Sequence, residues 1–291
     1  MRTPIRLDYR ARPGLLGFMA QMWRPKGRFE AAAGLPGIVA TWRGQRSSPR
    51  EIADYRALSG LAADDELSIL YPHTLSFPLL MATLSHPAFP LPIWRVLQVR
   101  NRLTQREAIA PDAVLDLTVR TGASRVLEKG IEMELCVTAE NRGRAVFDAV
   151  NTFYSRGRFG AGQAAASPSP VLDGEPATEW HMPAHGRLRY SRLSGDFNPL
   201  HMHDGYARRQ GFARAFAHPQ RAIGQCLAHL GAARHAAMTL ETWIKGPVFY
   251  GARVALRAET QAAGGAFALH VDGDARPAIV GRYQLTDEGS T

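Results

Sequence analysis

The stretch Tyr190-Ser-Arg-Leu-Ser-Gly-Asp-Phe-Asn-Pro-Leu-His201 decides how this chain is read. It places a carboxylate (Asp196), a carboxamide (Asn198) and an imidazole (His201) on one short loop. Gly195 permits positive φ at the loop entrance, and Pro199 disfavours helical geometry at Asn198. Two readings are open from these residues. Asp196 and Asn198 are ordinary turn formers and can simply cap the next element of the chain. Alternatively, the three polar groups converge on one water molecule.

The continuation adds a second pattern. After His201 come Met-His-Asp-Gly-Tyr206-Ala-Arg-Arg-Gln-Gly-Phe212 and then Ala-Arg-Ala-Phe-Ala-His218. The whole span resembles the signature of the MaoC-like, type 2, (R)-specific enoyl-thioester hydratases and dehydratases. That signature reads Ser/Thr-Gly-Asp-x-Asn-Pro-Leu/Ile-His, a short helix with an aromatic-Ala pair, then Gly-Phe and a His. Here the matching elements are Ser194 to His201, Tyr206-Ala207, Gly211-Phe212 and His218. The resemblance implies an α+β fold of double-hotdog form, with two long helices each wrapped by a curved antiparallel sheet in one chain. It also implies the reversible hydration of a trans-2-enoyl thioester to an (R)-3-hydroxyacyl thioester, a reaction of fatty acid metabolism. The acyl group would be linked to coenzyme A or to an acyl carrier protein.

The same resemblance assigns roles. Asp196 and His201 would hold the water, and His201 would take its proton as the oxygen attacks C3. Asp196 or His201 would deliver a proton to C2. Asn198 would orient the water or the carboxylate. No cofactor or metal is implied, because the thioester itself acidifies C2. An imidazole suits the task, since its ordinary pKa of about 6.5 lies near working pH.

From Pro219 the sequence reads as helix to Leu230, with Ile223, Leu227 and Leu230 on one apolar stripe. Gly224 and Ala228 form a small-residue row expected to admit a sheet closely. The helix start would stabilise an enolate oxygen through its unpaired amides. Here the chain departs from the family, whose members carry His-Gly at this point. This chain has His218-Pro219, and proline has no N–H to give. Either Gln220 takes over, through its amide or its side chain, or the protein is a weak relative. His218 shapes the pocket wall or caps the helix. Tyr206 and Phe212 read as pocket or packing residues. Arg208, Arg209, Arg214 and Lys245 are candidates to meet carrier phosphates, though any one of them taken singly reads first as a solvated surface charge.

The rest of the chain frames this site. Its 291 residues are 45% hydrophobic and 21% charged, enough for a sizeable core, and no apolar run is long enough to span a membrane. The +9 charge carries no nucleic-acid motif and suits a polyanionic carrier. Two distant cysteines, Cys136 and Cys226, read as buried free thiols, and no zinc-ligand spacing is present around His201-x-His203. Arg2, Arg6, Arg10 and Arg12 before the apolar Leu15 to Trp23 bear a faint likeness to a leader peptide. Asp8 and Gln21 break that pattern, so the expectation is a docked N-terminal segment in a cytoplasmic protein. A surface-lying amphipathic helix is the alternative, and a homodimer is left open as the assembly.

Finally, the chain repeats itself faintly. Tyr55-Arg-Ala-Leu-Ser-Gly60 echoes Tyr190-Ser-Arg-Leu-Ser-Gly195, and Tyr71-Pro-His73 echoes Phe216-Ala-His218. Each is followed by strand-like segments. In the first half these are Trp94 to Val99, Val114 to Val119, Ile131 to Ala139 and Ala145 to Tyr154; in the second, Leu240 to Ile244, Ala252 to Glu259, Ala266 to Val271 and Ala278 to Leu285. The small-residue run Gly160 to Pro170 reads as an exposed linker. The expected layout is a non-catalytic hotdog half over 1–160 that lines the substrate tunnel, a linker over 161–172, and a catalytic half over 173–291. The first half continues Gly60 with Leu61-Ala-Ala-Asp-Asp-Glu66 and has no catalytic loop. The rival readings are an acyl-thioester hydrolase of the hotdog superfamily and a non-catalytic acyl-thioester-binding subunit.

Overall fold

The computed structural model describes residues 3–22, 24–27, 29–62, 66–164, 169–232 and 237–286. Trp23, residues 63–65 of the first-half loop and residues 165–168 of the expected linker lie outside them. The chain opens with β1 (Ile5–Tyr9) and α1 (Leu15–Met22). The first half continues with β2 (Ile38–Gln45), α2 (Pro49–Ser59), α3 (Leu70–Ser85), β3 (Leu97–Gln105), β4 (Leu115–Leu127), β5 (Gly130–Asn141) and β6 (Arg144–Arg156). The second half supplies β7 (Thr178–His181), α4 (Arg187–Ser194), α5 (Asp204–Arg209), α6 (Pro219–His229), β8 (Met238–Ile244), β9 (Arg253–Gln261), β10 (Gly264–Val271) and β11 (Ile279–Leu285).

The strands form one 11-stranded sheet in the order β1-β2-β4-β5-β6-β3-β8-β11-β10-β9-β7. Leaving β1 aside, each half uses its strands in the same sequence: first, third, fourth, fifth, second. The weak sequence repeat is therefore a repeat of topology. The two second strands meet at the seam, where β3 and β8 pair antiparallel with Leu103 opposite Leu240. The fold is a double hotdog.

Each half encloses a helix. α3 carries no charged residue and all its side chains except that of Met81 are buried, as a helix apolar all round requires. α6 is shorter and buries residues 220–227. The repeated Leu-Ser-Gly marks the same event twice. α2 ends at Gly60 (φ 72°) and α4 ends at Gly195 (φ 76°), the left-handed stop at which glycine has no Cβ penalty.

These two short helices cross over: α2 packs on α6, and α4 packs on α3. That corrects the expectation for Gly224. A Cβ there would come 2.9 Å from Ser59 Cβ, so the close neighbour is the end of α2 rather than a sheet.

Other differences have local causes. Trp94 lies in a single 3₁₀ turn after Pro92, and the strand begins at Leu97. β2 and β7, the first strand of each half, have weak sequence signals because β7 has only four residues and β2 runs into exposed Arg43 and Gly44. The basic N-terminal segment is an edge strand, β1, running parallel to β2. Among the described residues no helix is long and apolar enough to cross a membrane. The first linker residues are exposed but tethered, since Gln163 bridges Leu127 at the end of β4.

Candidate active site

The loop after Gly195 is built from nested side-chain-to-backbone bonds. The Asp196 amide donates to Ser194 Oγ (3.1 Å), the Asn198 amide donates to Asp196 Oδ1 (3.0 Å), and the Leu200 amide donates to Asn198 Oδ1 (3.1 Å). Asn198 thus caps the 3₁₀ turn Pro199–His201 with its side-chain oxygen and meets the carboxylate through its backbone. Turn formation is realised: the capping bonds use the Asn198 side-chain oxygen and one carboxylate oxygen of Asp196, while the other carboxylate oxygen lies near the histidines. Asp196 Oδ2 lies 3.7 Å from His201 Nε2 and 3.9 Å from His218 Nε2.

The protonation pattern is set by the partners. His201 Nδ1 lies 3.0 Å from the Phe216 carbonyl oxygen, which can only accept. The neutral ring therefore carries its proton on Nδ1 and presents the Nε2 lone pair towards Asp196. The 3.7 Å separation is too long for a direct hydrogen bond. Burial raises the Asp196 carboxyl above the ordinary aspartate range, against the opposing pull of His201 and of the Asn198 amide.

His218 sits at the α6 N-cap position but makes no side-chain cap. It reaches back instead, donating from Nε2 to the Asp196 carbonyl (3.1 Å), and its ring stacks on His201 (centroids 4.0 Å apart, 30° between planes). Burial, reinforced by His201 and Arg221, holds His218 neutral. Asp196, His201 and His218 offer ligand atoms within 4.8 Å of one another, a grouping that sequence spacing did not suggest. His218 Nε2, however, carries the proton given to the Asp196 carbonyl, so the trio presents two acceptor groups rather than three.

Asp196 and His201 open on a cavity of about 710 Å³ walled by both halves. Asp196, Asn198, His201, Tyr206, Phe212, Pro219 and Gln220 line it from the second half. Phe77, Met81 and Leu84 of α3, Gln98 of β3 and Phe153 of β6 line it from the first. Tyr206 and Phe212 also pack with Leu200, Ala207 and Phe216. His218 lies behind the wall, 1% exposed. At the start of α6, Pro219 leaves the Gln220 amide as the first N–H of the helix, while the Arg221 amide already donates to the His218 carbonyl (3.0 Å).

Of the four basic candidates, Lys245 lines the cavity and bonds Ser169 Oγ. Arg214 stacks over Phe249 (5.4 Å), Arg208 pairs weakly with Asp204 (4.0 Å), and Arg209 is exposed on α5.

Sequence reasoning missed the first-half wall residues one by one, because no local motif marks them. It also missed Arg12, whose guanidinium donates to the Leu193 carbonyl at the end of α4 and packs over Gly195.

A curved sheet around two central helices, with an Asp/His pair on the wall of a shared apolar cavity, is a double-hotdog arrangement similar to that of MaoC-like dehydratases. Sequence and structure comparisons place the chain beside particular members. It is 27% identical over 201 residues to 3-hydroxyacyl-thioester dehydratase X of Mycobacterium tuberculosis, covering 68% of this chain and 71% of that protein. A crystal structure of HtdX from the same organism superimposes with a TM-score of 0.74, at 21% identity over 85% of this chain and 100% of that one. A MaoC-like dehydratase from Phytophthora capsici gives a TM-score of 0.68, at 20% identity over 88% of this chain and 96% of that one. No family model matches the sequence.

Proposed function

We propose that Asp196 and His201 catalyse the reversible addition of water to a trans-2-enoyl thioester, giving an (R)-3-hydroxyacyl thioester. The protein is a hydro-lyase acting on acyl thioesters. The observation that carries the assignment of roles is the approach of His201 Nε2 and Asp196 Oδ2 to 3.7 Å on the cavity wall, close enough for both to reach one water placed beside them. In the hydration direction the water oxygen attacks C3 and its proton passes to His201 Nε2. The C2=C3 electron pair moves towards the thioester oxygen, and C2 then takes a proton from Asp196, whose raised pKa suits it to be the acid. Dehydration runs the same steps backwards. Asn198 keeps the loop in shape and His218 supports His201 from behind.

The apolar wall supplied by α3 and β6 supports an acyl chain longer than the shortest, carried on coenzyme A or a carrier protein, with Lys245 near the phosphates. The test is loss of the enoyl-thioester absorbance with crotonyl-CoA and with a long-chain enoyl-CoA. Wild type should consume the substrate, and Asp196→Asn and His201→Gln should each lose about 10³-fold in kcat. Release of free thiol without prior hydration would indicate a hydrolase. Tight binding with no turnover on any chain length would indicate a binding subunit, the outcome that Pro219 favours.

A further inference from the structure

A line of buried and half-buried carboxamides runs from the second half into the first. Gln220 Nε2 donates to Gln98 Oε1 (2.6 Å), and Gln98 Nε2 donates to Asn151 Oδ1 (2.9 Å). The same Asn151 oxygen receives His73 Nε2–H (2.6 Å), and Asn151 Nδ2 donates to the Leu135 carbonyl (3.3 Å). Asn151 and His73 are fully buried, and Gln220 is 6% exposed.

The direction of this line is not arbitrary. The Leu135 carbonyl can only accept, so Asn151 must turn its nitrogen to β5 and its oxygen to His73 and Gln98. Gln98 must then present nitrogen to Asn151 and oxygen to Gln220. Gln220 in turn must meet Gln98 through its nitrogen. Burial keeps His73 neutral, its pKa lowered to about 4, so it serves as a permanent N–H donor to Asn151. A backbone carbonyl of the first half thus sets the orientation of a carboxamide at the cavity wall of the second.

We propose that Gln98 is a positioning residue that fixes the Gln220 carboxamide as hydrogen-bond donor to the thioester oxygen, in place of the amide that Pro219 lacks. The inference rests on the hydratase reading. Both glutamines line the cavity, at the helix end where the enolate oxygen would form. One Gln220 side-chain hydrogen is committed to Gln98, and the second, together with the Gln220 backbone N–H, is left to bind the substrate. A carboxamide left to rotate would present oxygen to the enolate as readily as nitrogen, and repulsion would replace attraction.

Gln98→Met should lower kcat about tenfold with little change in KM, and Gln220→Met about 10²-fold, the scale set by loss of one oxyanion donor. If Gln98 acts only through Gln220, the double variant should be no slower than Gln220→Met alone. Gln98→Asn keeps the polarity but is too short to reach both partners; it should match Gln98→Met and serves if that variant does not fold.

The second readout needs no turnover. In infrared difference spectra of a bound saturated acyl-CoA labelled with ¹³C at the thioester carbonyl, the wild type should show a lowered stretching frequency. Gln98→Met and Gln98→Asn should reverse most of the shift. Wild-type kcat and carbonyl frequency in both variants, or losses that multiply in the double variant, would overturn the proposal. A wild type that polarises the carbonyl but hydrates nothing would sink the hydratase reading and leave this one standing.

Discussion

The two halves run the same strand order around a buried helix, yet they have kept very different clefts. Beside the Leu-Ser-Gly of the second half lies the cavity of about 710 Å³; beside that of the first half lies one of about 130 Å³. The small cleft is lined by Gly60, Leu61 and Ser68 together with Ala228 and Gly231 at the end of α6. The large one is lined by Gly195 and the Asp196–His201 loop together with Phe77, Met81 and Leu84 of α3. In both cases one half supplies the loop and the other supplies the facing helix. The first half has not widened a cleft of its own; it walls its partner's. The helix starts differ in the same sense. α3 begins three residues before His73, which is bonded within the core to Asn151, whereas α6 begins directly after His218, with Pro219 and Gln220 lining the cavity. A shared backbone plan thus carries two different loops and two different helix starts.

If α3 is the wall for the acyl chain, a larger side chain on it should separate short from long substrates. Met81→Trp is expected to lower kcat/KM for a long-chain enoyl-CoA by about 10²-fold, because a filled pocket excludes the chain outright. Activity on crotonyl-CoA should stay close to that of wild type. The measurement is the ratio of kcat/KM values across a series of chain lengths. Equal losses at all lengths would mean that the chain does not run along α3, and the division between reacting half and walling half would fail.

The helix starts offer a smaller test. Pro219→Gly supplies an N–H at the first position of α6, where proline has none. We expect kcat to rise about tenfold, less than the full value of an oxyanion donor because Gln220 already supplies one. The replacement should also cost about 0.5–1 kcal/mol of stability through the freer unfolded chain, read as a lower midpoint in urea. An unchanged rate would show that Gln220 has taken over completely.

Much of this was legible in the sequence because it was local. The Asp196–Asn198–His201 loop announces itself through glycine and proline, and the repeated Leu-Ser-Gly marks two equivalent helix ends. The later strands of each half show clear apolar runs. The elements that escaped notice depend on contacts distant in sequence. Gln98 reads as one more residue of a strand until β3 is seen to pair with β6, which places it near Asn151, and to face Gln220 across the seam. Gly224 looked like a site of sheet contact because nothing local announces that α2 and α4 exchange partners. Arg12 belonged to a basic segment with a leader-like flavour until β1 docked it over Gly195.

The exchange itself can be probed at its two glycines. Gly60 and Gly195 hold nearly the same left-handed conformation, so alanine at either should cost about 1–2 kcal/mol in backbone strain. The surroundings then divide them. At Gly60 a Cβ would meet, among the described residues, only Gln225 Cγ, at 3.4 Å. At Gly195 it would come 2.8 Å from Pro78 Cγ and 3.4 Å from an Arg12 guanidinium nitrogen. Pro78 is a rigid ring inside the buried helix α3, so it has little room to yield, and overpacking of this kind costs about a further 1–3 kcal/mol. Urea unfolding should therefore rank Gly195→Ala below Gly60→Ala by that margin. Only Gly195→Ala should also lower kcat, because Asp196 comes directly after it. Equal stabilities would mean that α4 can slide on α3 without penalty, and the catalytic loop would then owe its position to its own hydrogen bonds rather than to the opposite half.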